Sequence, residues 1–287
     1  MAVFRWLRES GGKETEEDEK KRSLPETKIR KNEETSSSQI SAETYEKTIG
    51  HVAETYGDIM PEEQRLRIDI EREEKKPTVL SDTEYSERFP GKDPSVLGHY
   101  DSEGRIYMRE GSPEVIRHVT THEALHLTSY NELDDTDPRR AVYRSGIREA
   151  VYENGKLTED SNRALNEGIT ERYAREELQR RGETVAYWSV NAYPEAQRKA
   201  CELESLVGRR TVQEAYFGGR SEQLKQEVIR LNGGDETAWD RLSRNVDVLE
   251  YSKDPEKISR ARLELTTQRA EMIAFREAER RKADDKL

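Results

Sequence analysis

Two histidines lie four residues apart in the segment Thr121-His122-Glu123-Ala124-Leu125-His126. On a helix, residues at this spacing lie on one face, one turn apart, so the imidazoles of His122 and His126 can reach a single cation. Glu123 is next to such a metal without having to bind it, and can take a proton from a metal-bound water. The segment therefore predicts a zinc site with a general base beside it.

The flanking sequence favours a helix around this motif. Ser112 is a typical N-cap, Pro113 suits the first helical position, and Glu114 places a negative charge in the first turn. Apolar residues then recur along one helical face: Val115, Ile116, Val119 and Leu125. A chance match to the motif would not be expected to come capped and in phase with an apolar stripe.

A catalytic zinc ion needs a third protein ligand, because only the fourth position is kept for water. The chain has five histidines, and none of them follows His126. His118 shares the helical face, but at 1.5 Å per residue it lies about 12 Å from His126 along the axis. Three imidazoles in a column cannot surround one ion, so His118 is interpreted as a packed residue or an outer partner of the site.

Two acids further along the chain are better suited to complete the site. If the segment Leu165 to Glu171 is helical, Glu167 and Glu171 are at positions i and i+4 and face the same way. Glu167 is predicted to bind the metal, and Glu171 to accept the free ring N–H of His122 and fix its tautomer. An exposed acidic helix face is the alternative interpretation, and Glu132, in the acidic stretch after the motif, is the second choice of ligand.

The combined pattern resembles the gluzincin branch of the zinc metallopeptidases (zincins), in which a glutamate on a second helix completes the His-His-Glu site. The resemblance rests on His122-Glu123-x-x-His126 followed by Asn166-Glu167-Gly168. The chain is also similar to poorly characterised bacterial zincins in which an Asn-Glu-Gly-x-Thr-Glu helix precedes a Tyr-Pro-led helix and an Ala-Tyr-Phe stretch. Here those are Tyr193-Pro194 and Ala215-Tyr216-Phe217.

This resemblance covers roughly residues 95 to 235. It implies a zincin-like fold and a metal held by His122, His126 and Glu167, with Glu123 as general base and Glu171 as the outer partner. Peptide hydrolysis also needs a donor for the oxyanion that develops on the substrate. With no later histidine available, Tyr193 is the first choice, followed by Tyr187 and Tyr173, and ordinary packing is the alternative for each.

Composition limits the partners and the compartment. The net charge of −11 argues against nucleic acid and anionic membranes as general partners. The apolar runs are too short to span a membrane, and the single Cys201 excludes an internal disulfide. The start of the chain lacks the features of a secretory signal, so the cytoplasm is the default location, while export by a route without such a signal stays open.

The pattern as a whole predicts an α+β fold that is mostly helical, with a small antiparallel or mixed sheet beside the metal helix and a helical C-terminal part. Residues 1–40 are expected to form a disordered charged arm, 41–235 the zincin-like domain, and 236–287 a helical extension able to dock a protein partner. The expected elements are a helix through residues 45–56, strands at 65–71 and 78–80, hairpins at 97–108 and 142–152, a solvated acidic loop at 131–138, and helices from residue 160 onward.

The function predicted from these observations is zinc-dependent cleavage of peptide bonds in a peptide or protein substrate. Two alternatives remain. One is a zincin-fold interaction protein in which the metal is structural or absent. The other is an exported effector protease whose N-terminal arm carries the address.

Overall fold

A computed structural model describes residues 36–92, 96–100, 105–137, 139–185 and 192–285 of the chain. These residues form an α+β fold, in which helices predominate around a three-stranded mixed sheet and a four-stranded antiparallel sheet. The elements in chain order are α1 (Ser37–Tyr56), α2 (Glu62–Glu74), β1 (Thr78–Leu80), α3 (Asp82–Arg88), β2 (Gly98–Tyr100), β3 (Ile106–Arg109), α4 (Pro113–Thr128), β4 (Asn131–Asp137), β5 (Arg140–Ser145), β6 (Arg148–Glu153), β7 (Lys156–Ser161), α5 (Arg163–Arg180), α6 (Pro194–Val207), α7 (Arg209–Gly218), α8 (Ser221–Leu231), α9 (Ala238–Tyr251) and α10 (Pro255–Asp284).

Helix α4, which carries the His-Glu-x-x-His motif, lies at the centre of the fold. It begins at Ser112 and Pro113 as expected, and every residue from His118 to Thr128 is buried. Helices α1 and α5 and strands β2 and β3 pack around it. Strand β2 can approach α4 closely because Gly98 has no side chain, and a Cβ there would collide with Val119. The motif is therefore held in the core.

The mixed sheet has the strand order β1-β3-β2, with β1 parallel and β2 antiparallel to β3. This confirms the expected strand at 78–80 and a small sheet beside α4. The antiparallel pairing of β2 with β3 agrees with the expected hairpin, whose turn at residues 101–104 lies outside the described residues. Strand β2 is one of the two outer strands of this sheet.

The antiparallel sheet is a meander of strands in the order β4-β5-β6-β7. Its central hairpin pairs Ser145 with Arg148, close to the expected position. The turn between β6 and β7 contains Asn154 and Gly155, both with positive φ (50° and 75°). This backbone conformation is the one for which an Asn-Gly pair is favoured.

Two sequence-based expectations about element type are wrong. Residues 65–71 are part of helix α2, in which Leu66 and Ile70 are 57% and 58% exposed, and the alternation does not mark a strand. The acidic stretch expected as a loop is strand β4, and the final strand β7 was not expected. Helix α1 begins at Ser37 and so includes the last residues assigned to the arm, whereas residues 1–35 lie outside the described part of the chain.

The C-terminal helices pack on the rest of the fold. Helix α9 lies against α5 and α6, and α10 lies against α8 and α9. Residues Leu265 and Met272 of α10 are buried in the main hydrophobic core. No helix in the described ranges combines the length and apolar character needed to cross a membrane.

Close packing of α5 on α6 leads to a first testable prediction. A Cβ at Gly168 would collide with the backbone of Ala196, so Gly168→Ala is expected to lower the free energy of unfolding by about 1–3 kcal/mol. The matched control is Gly50→Ala within helix α1, where a Cβ would meet nothing within 4 Å. That change should raise the free energy of unfolding by roughly 0.5–1 kcal/mol. Urea unfolding measures both, and equal effects would contradict the packing described here.

Candidate metal centre

Helices α4 and α5 bring together the three side chains predicted as metal ligands. His122, His126 and Glu167 are 0%, 3% and 2% exposed. Nε2 of His126 is 3.1 Å from Nε2 of His122. Oε2 of Glu167 is 3.4 Å from Nε2 of His122 and 3.3 Å from Nε2 of His126. The three donor atoms therefore form a nearly equilateral triangle.

This triangle has the dimensions of one face of the tetrahedron that four donor atoms form around a zinc ion. Donor atoms bonded to a tetrahedral zinc ion at about 2.0–2.1 Å are separated by roughly 3.3 Å along each edge. Two imidazole nitrogens and one carboxylate oxygen suit zinc and other transition metals, whereas calcium and magnesium prefer oxygen ligands. Within the described ranges, these residues form a buried group that could hold a metal ion.

Glu171 orients the first of the two histidines. Its Oε2 lies 3.0 Å from Nδ1 of His122, and its Oε1 lies 2.9 Å from Nε2 of His118. If Nδ1–H of His122 donates to Glu171, the lone pair of Nε2 is left for a cation. Burial raises the pKa of Glu171, but the two neighbouring imidazoles outweigh it and hold this pKa below its usual value.

The structure thus places Glu171 beside His122 as expected. His118, interpreted from the sequence as packed or as an outer partner, is fully buried and contacts the same carboxylate.

Glu123 is fully buried beside the donors, and neither of its carboxylate oxygens has a hydrogen-bond partner in the part of the chain that the structure describes. Burial raises the pKa of Glu123 to about 8, Glu167 adds to the rise, and His122 opposes it. A divalent cation held by the three donors would favour the charged carboxylate in the same way. Glu123 could then act as a base at neutral pH.

Other residues of the Asn-Glu-Gly-x-Thr-Glu segment hold α5 in place. Oδ1 of Asn166 accepts the backbone N–H of Ile147, 3.0 Å away, at the turn between β5 and β6. The hydroxyls of Thr170 and Tyr216 hydrogen-bond at 2.7 Å, and Tyr216 in turn donates to the carbonyl of Leu125 in α4 at 3.4 Å. The segment therefore connects α5 to the antiparallel sheet and to α4.

The predicted tyrosines lie in different places. Tyr193 is buried at the start of α6, and its ring stacks towards His122 with the centroids 6.3 Å apart and the planes at 20°. Burial raises the pKa of Tyr193, and Glu167 adds to the rise, so its hydroxyl is protonated at neutral pH. Tyr173 lies in an aromatic cluster with Tyr56, Tyr216 and Phe217. Tyr187 lies outside the described residues.

The alternative ligand Glu132 lies apart from the three donors. Its side chain is 42% exposed on β4, and its Oε2 accepts a hydrogen bond from Nη1 of Arg144 at 2.7 Å. Strand pairing between β4 and β5 fixes Glu132 opposite Arg144, so the acid cannot turn to the histidines without breaking that pair. Glu167, and not Glu132, is the acid that lies beside the two histidines.

Sequence reasoning missed four of the side chains that line a small pocket next to the donors, those of Tyr100, Tyr143, Ser145 and Arg148. The pocket is lined by His126, Glu167, Asn166, Tyr100, Tyr143, Ser145 and Arg148. Arg148 is buried, and its Nε and Nη2 atoms donate to the two carboxylate oxygens of Asp160 at 2.7 and 2.8 Å. No local motif distinguishes Tyr100 or Arg148, because strand pairing alone brings them here.

No protein-family model, curated protein or solved structure matches this chain.

Proposed function

We propose that the protein is a zinc-dependent metalloendopeptidase of the gluzincin type that its motifs resemble. The observation that carries this proposal is the triangle of donor atoms from His122, His126 and Glu167, with edges of 3.1, 3.3 and 3.4 Å. Beside it lies the carboxylate of Glu123, which has no hydrogen-bond partner among the residues that the structure describes. Three protein donors with one remaining position are typical of catalytic zinc, whereas structural zinc sites are closed by four.

The residues around the triangle suit hydrolysis. A zinc ion held there would supply a Lewis acid that polarises a carbonyl and lowers the pKa of water. Glu123 would take the proton of the attacking water and deliver it to the leaving amine. Tyr193, whose hydroxyl stays protonated, would donate to the carbonyl oxygen as it gains negative charge. Burial of these side chains strengthens each electrostatic interaction.

A peptide is the substrate class that best fits the neighbouring sheet. Strand β2 is an outer strand of the mixed sheet, packs on α4, and ends at Tyr100, which also lines the pocket beside His126 and Glu167. Gly98 and His99 of this strand are buried, so an extended peptide would add to this edge through main-chain hydrogen bonds once the edge is uncovered. A peptide bound there would be led to the metal position.

The proposal is tested by metal analysis and cleavage assays on the full chain. One zinc ion per chain is expected, together with cleavage of a mixed quenched-fluorescence peptide library. A chelator should abolish the cleavage and added zinc should restore it. A chain that holds zinc and loses stability on chelation, yet cleaves neither the library nor denatured casein, would identify a non-catalytic metal protein instead. A chain that binds no zinc would refute the proposal altogether.

The hydrogen bond between Glu171 and His122 leads to a prediction about metal affinity. Glu171→Gln is expected to weaken zinc binding by about 10–100-fold. An amide oxygen accepts the Nδ1–H of His122 more weakly than a carboxylate does, so the variant holds the neutral His122 ligand less firmly in place. The dissociation constant is measured by competition with a chelating indicator. The matched control is Glu176→Gln on the same helix, where the acid pairs with Arg209. Equal affinity in the two variants would show that Glu171 does not orient the ligand.

A further inference from the structure

Helices α5 and α6 both begin in an unusual backbone conformation. Their N-cap residues, Asn162 and Tyr193, have φ values of 59° and 50°, in the left-handed region that residues other than glycine rarely adopt. N-cap residues are normally extended, and their side chains accept a hydrogen bond from the first helical turn. Neither Asn162 nor Tyr193 makes such a bond. The first turns of both helices therefore need acceptors from elsewhere.

Helix α9 supplies those acceptors. Oδ1 of Asp247 accepts the backbone N–H of Ala164 in α5 at 2.7 Å, and Oε2 of Glu250 accepts the backbone N–H of Ala196 in α6 at 3.0 Å. Oγ of Ser243 accepts the backbone N–H of Asn162 at 2.8 Å. The three acceptors are at positions i, i+4 and i+7 of α9 and so lie on one face of this helix. That face accepts hydrogen bonds from the N-terminal ends of both α5 and α6.

The charges of these acids suit their positions. A carboxylate at the N-terminal end of a helix interacts favourably with the helix dipole, and both α5 and α6 start against an acid of α9. Burial raises the pKa of Asp247 to about 6, and the Ala164 N–H limits the rise. Asp247 is therefore mostly ionised at neutral pH, where it can act as a charged cap.

We propose that α9 positions the third metal donor through Asp247 and the start of α6 through Glu250. Asp247 fixes the first turn of α5 at Ala164, three residues before Glu167, and so determines where the third donor lies relative to the histidines of α4. Glu250 fixes α6, whose N-cap is Tyr193. Neither Asp247 nor Glu250 belongs to the group of candidate metal donors, and they act through Glu167 and Tyr193. This inference rests on the proposed metal centre but does not require hydrolysis.

The two acids should differ in their effect on zinc affinity, because α5 carries a donor and α6 carries none. Asp247→Ala is expected to weaken zinc binding about tenfold, the lower end of the range for groups that orient a ligand. Glu250→Ala should leave the zinc dissociation constant unchanged. Both variants should lower the unfolding midpoint, and by similar amounts, because each removes one cap of a helix. Arg244→Ala, at an exposed position of the same helix, is the control and should change neither.

The experiment measures zinc affinity by competition with a chelating indicator and thermal unfolding of the metal-free full chain. Asp247→Asn retains an oxygen acceptor, so it should recover most of the zinc affinity, and it replaces the alanine variant if that variant does not fold. Zinc affinity that falls equally in the Asp247 and Glu250 variants, in proportion to lost stability, would overturn the inference and leave a structural role only. A wild-type chain that binds no zinc would instead overturn the proposed function, and this inference with it.

Discussion

Replacing Glu123 by glutamine is expected to remove peptide cleavage while zinc stays bound. Glutamine has nearly the same shape but cannot take a proton from water, and loss of a general base typically lowers the rate by about 10²–10⁴-fold. The carboxylate of Glu123 has no hydrogen-bond partner among the described residues, so the substitution breaks no contact of the structure there. Zinc content, the unfolding midpoint and kcat on the peptide library are measured on the same preparation.

The control for this variant is Glu114→Gln, in the first turn of the same helix and far from the motif in sequence. It should leave both zinc content and kcat at the level of the unsubstituted chain. Full cleavage activity in a zinc-loaded Glu123→Gln chain would exclude Glu123 as the base. Loss of zinc from that chain would mean that Glu123 itself holds the metal.

Replacing Glu167 by glutamine is expected to have the largest effect on metal binding. A neutral amide is a poor substitute for a carboxylate ligand, so the loss should exceed the roughly 10–100-fold caused by changing a residue that only orients a ligand. Zinc at one hundred times its dissociation constant stabilises a protein by about 2.7 kcal/mol. The unsubstituted chain should therefore gain thermal stability when zinc is added, and the Glu167→Gln chain should gain much less.

Glu132→Gln is the matched control, because Glu132 is the other acid that the sequence offers as a third ligand. Its carboxylate is exposed and pairs with Arg144, so this variant should bind zinc as tightly as the unsubstituted chain. The reverse pattern, with zinc retained in Glu167→Gln and lost in Glu132→Gln, would require β4 to rearrange towards the histidines.

The placement of the site residues could be predicted because it depends mainly on helical spacing. His122 and His126 form one i, i+4 pair, and Glu167 and Glu171 form another. The need for a third ligand then linked the two pairs across the chain. The pocket residues Tyr100 and Arg148 could not be found this way, because they reach the site only through strand pairing and carry no local signal.

The two wrong element types have different causes. In residues 65–71 the apolar residues alternate, but most residues of α2 are strong helix formers, and only Ile68 of the three apolar residues is buried. Helix propensity therefore outweighed the alternation of apolar residues. Strand β4 has the composition of a loop, yet it pairs with β5, where Glu132 lies opposite Arg144. Pairing with β5 makes β4 a strand, and a single sequence does not reveal which strands will pair.

The bond between Asn166 and the turn at Ile147 ties the geometry of a hairpin to that of a helix. A peptide tag or added loop inserted at Gly146 would pull on the residue next to Glu167, whereas one inserted at Gly155, at the opposite end of the sheet, would meet open space. For anyone attaching a fluorophore or an affinity handle, the two ends of β6 are therefore not interchangeable. The end at Gly155 can be lengthened without disturbing Asn166 and Glu167.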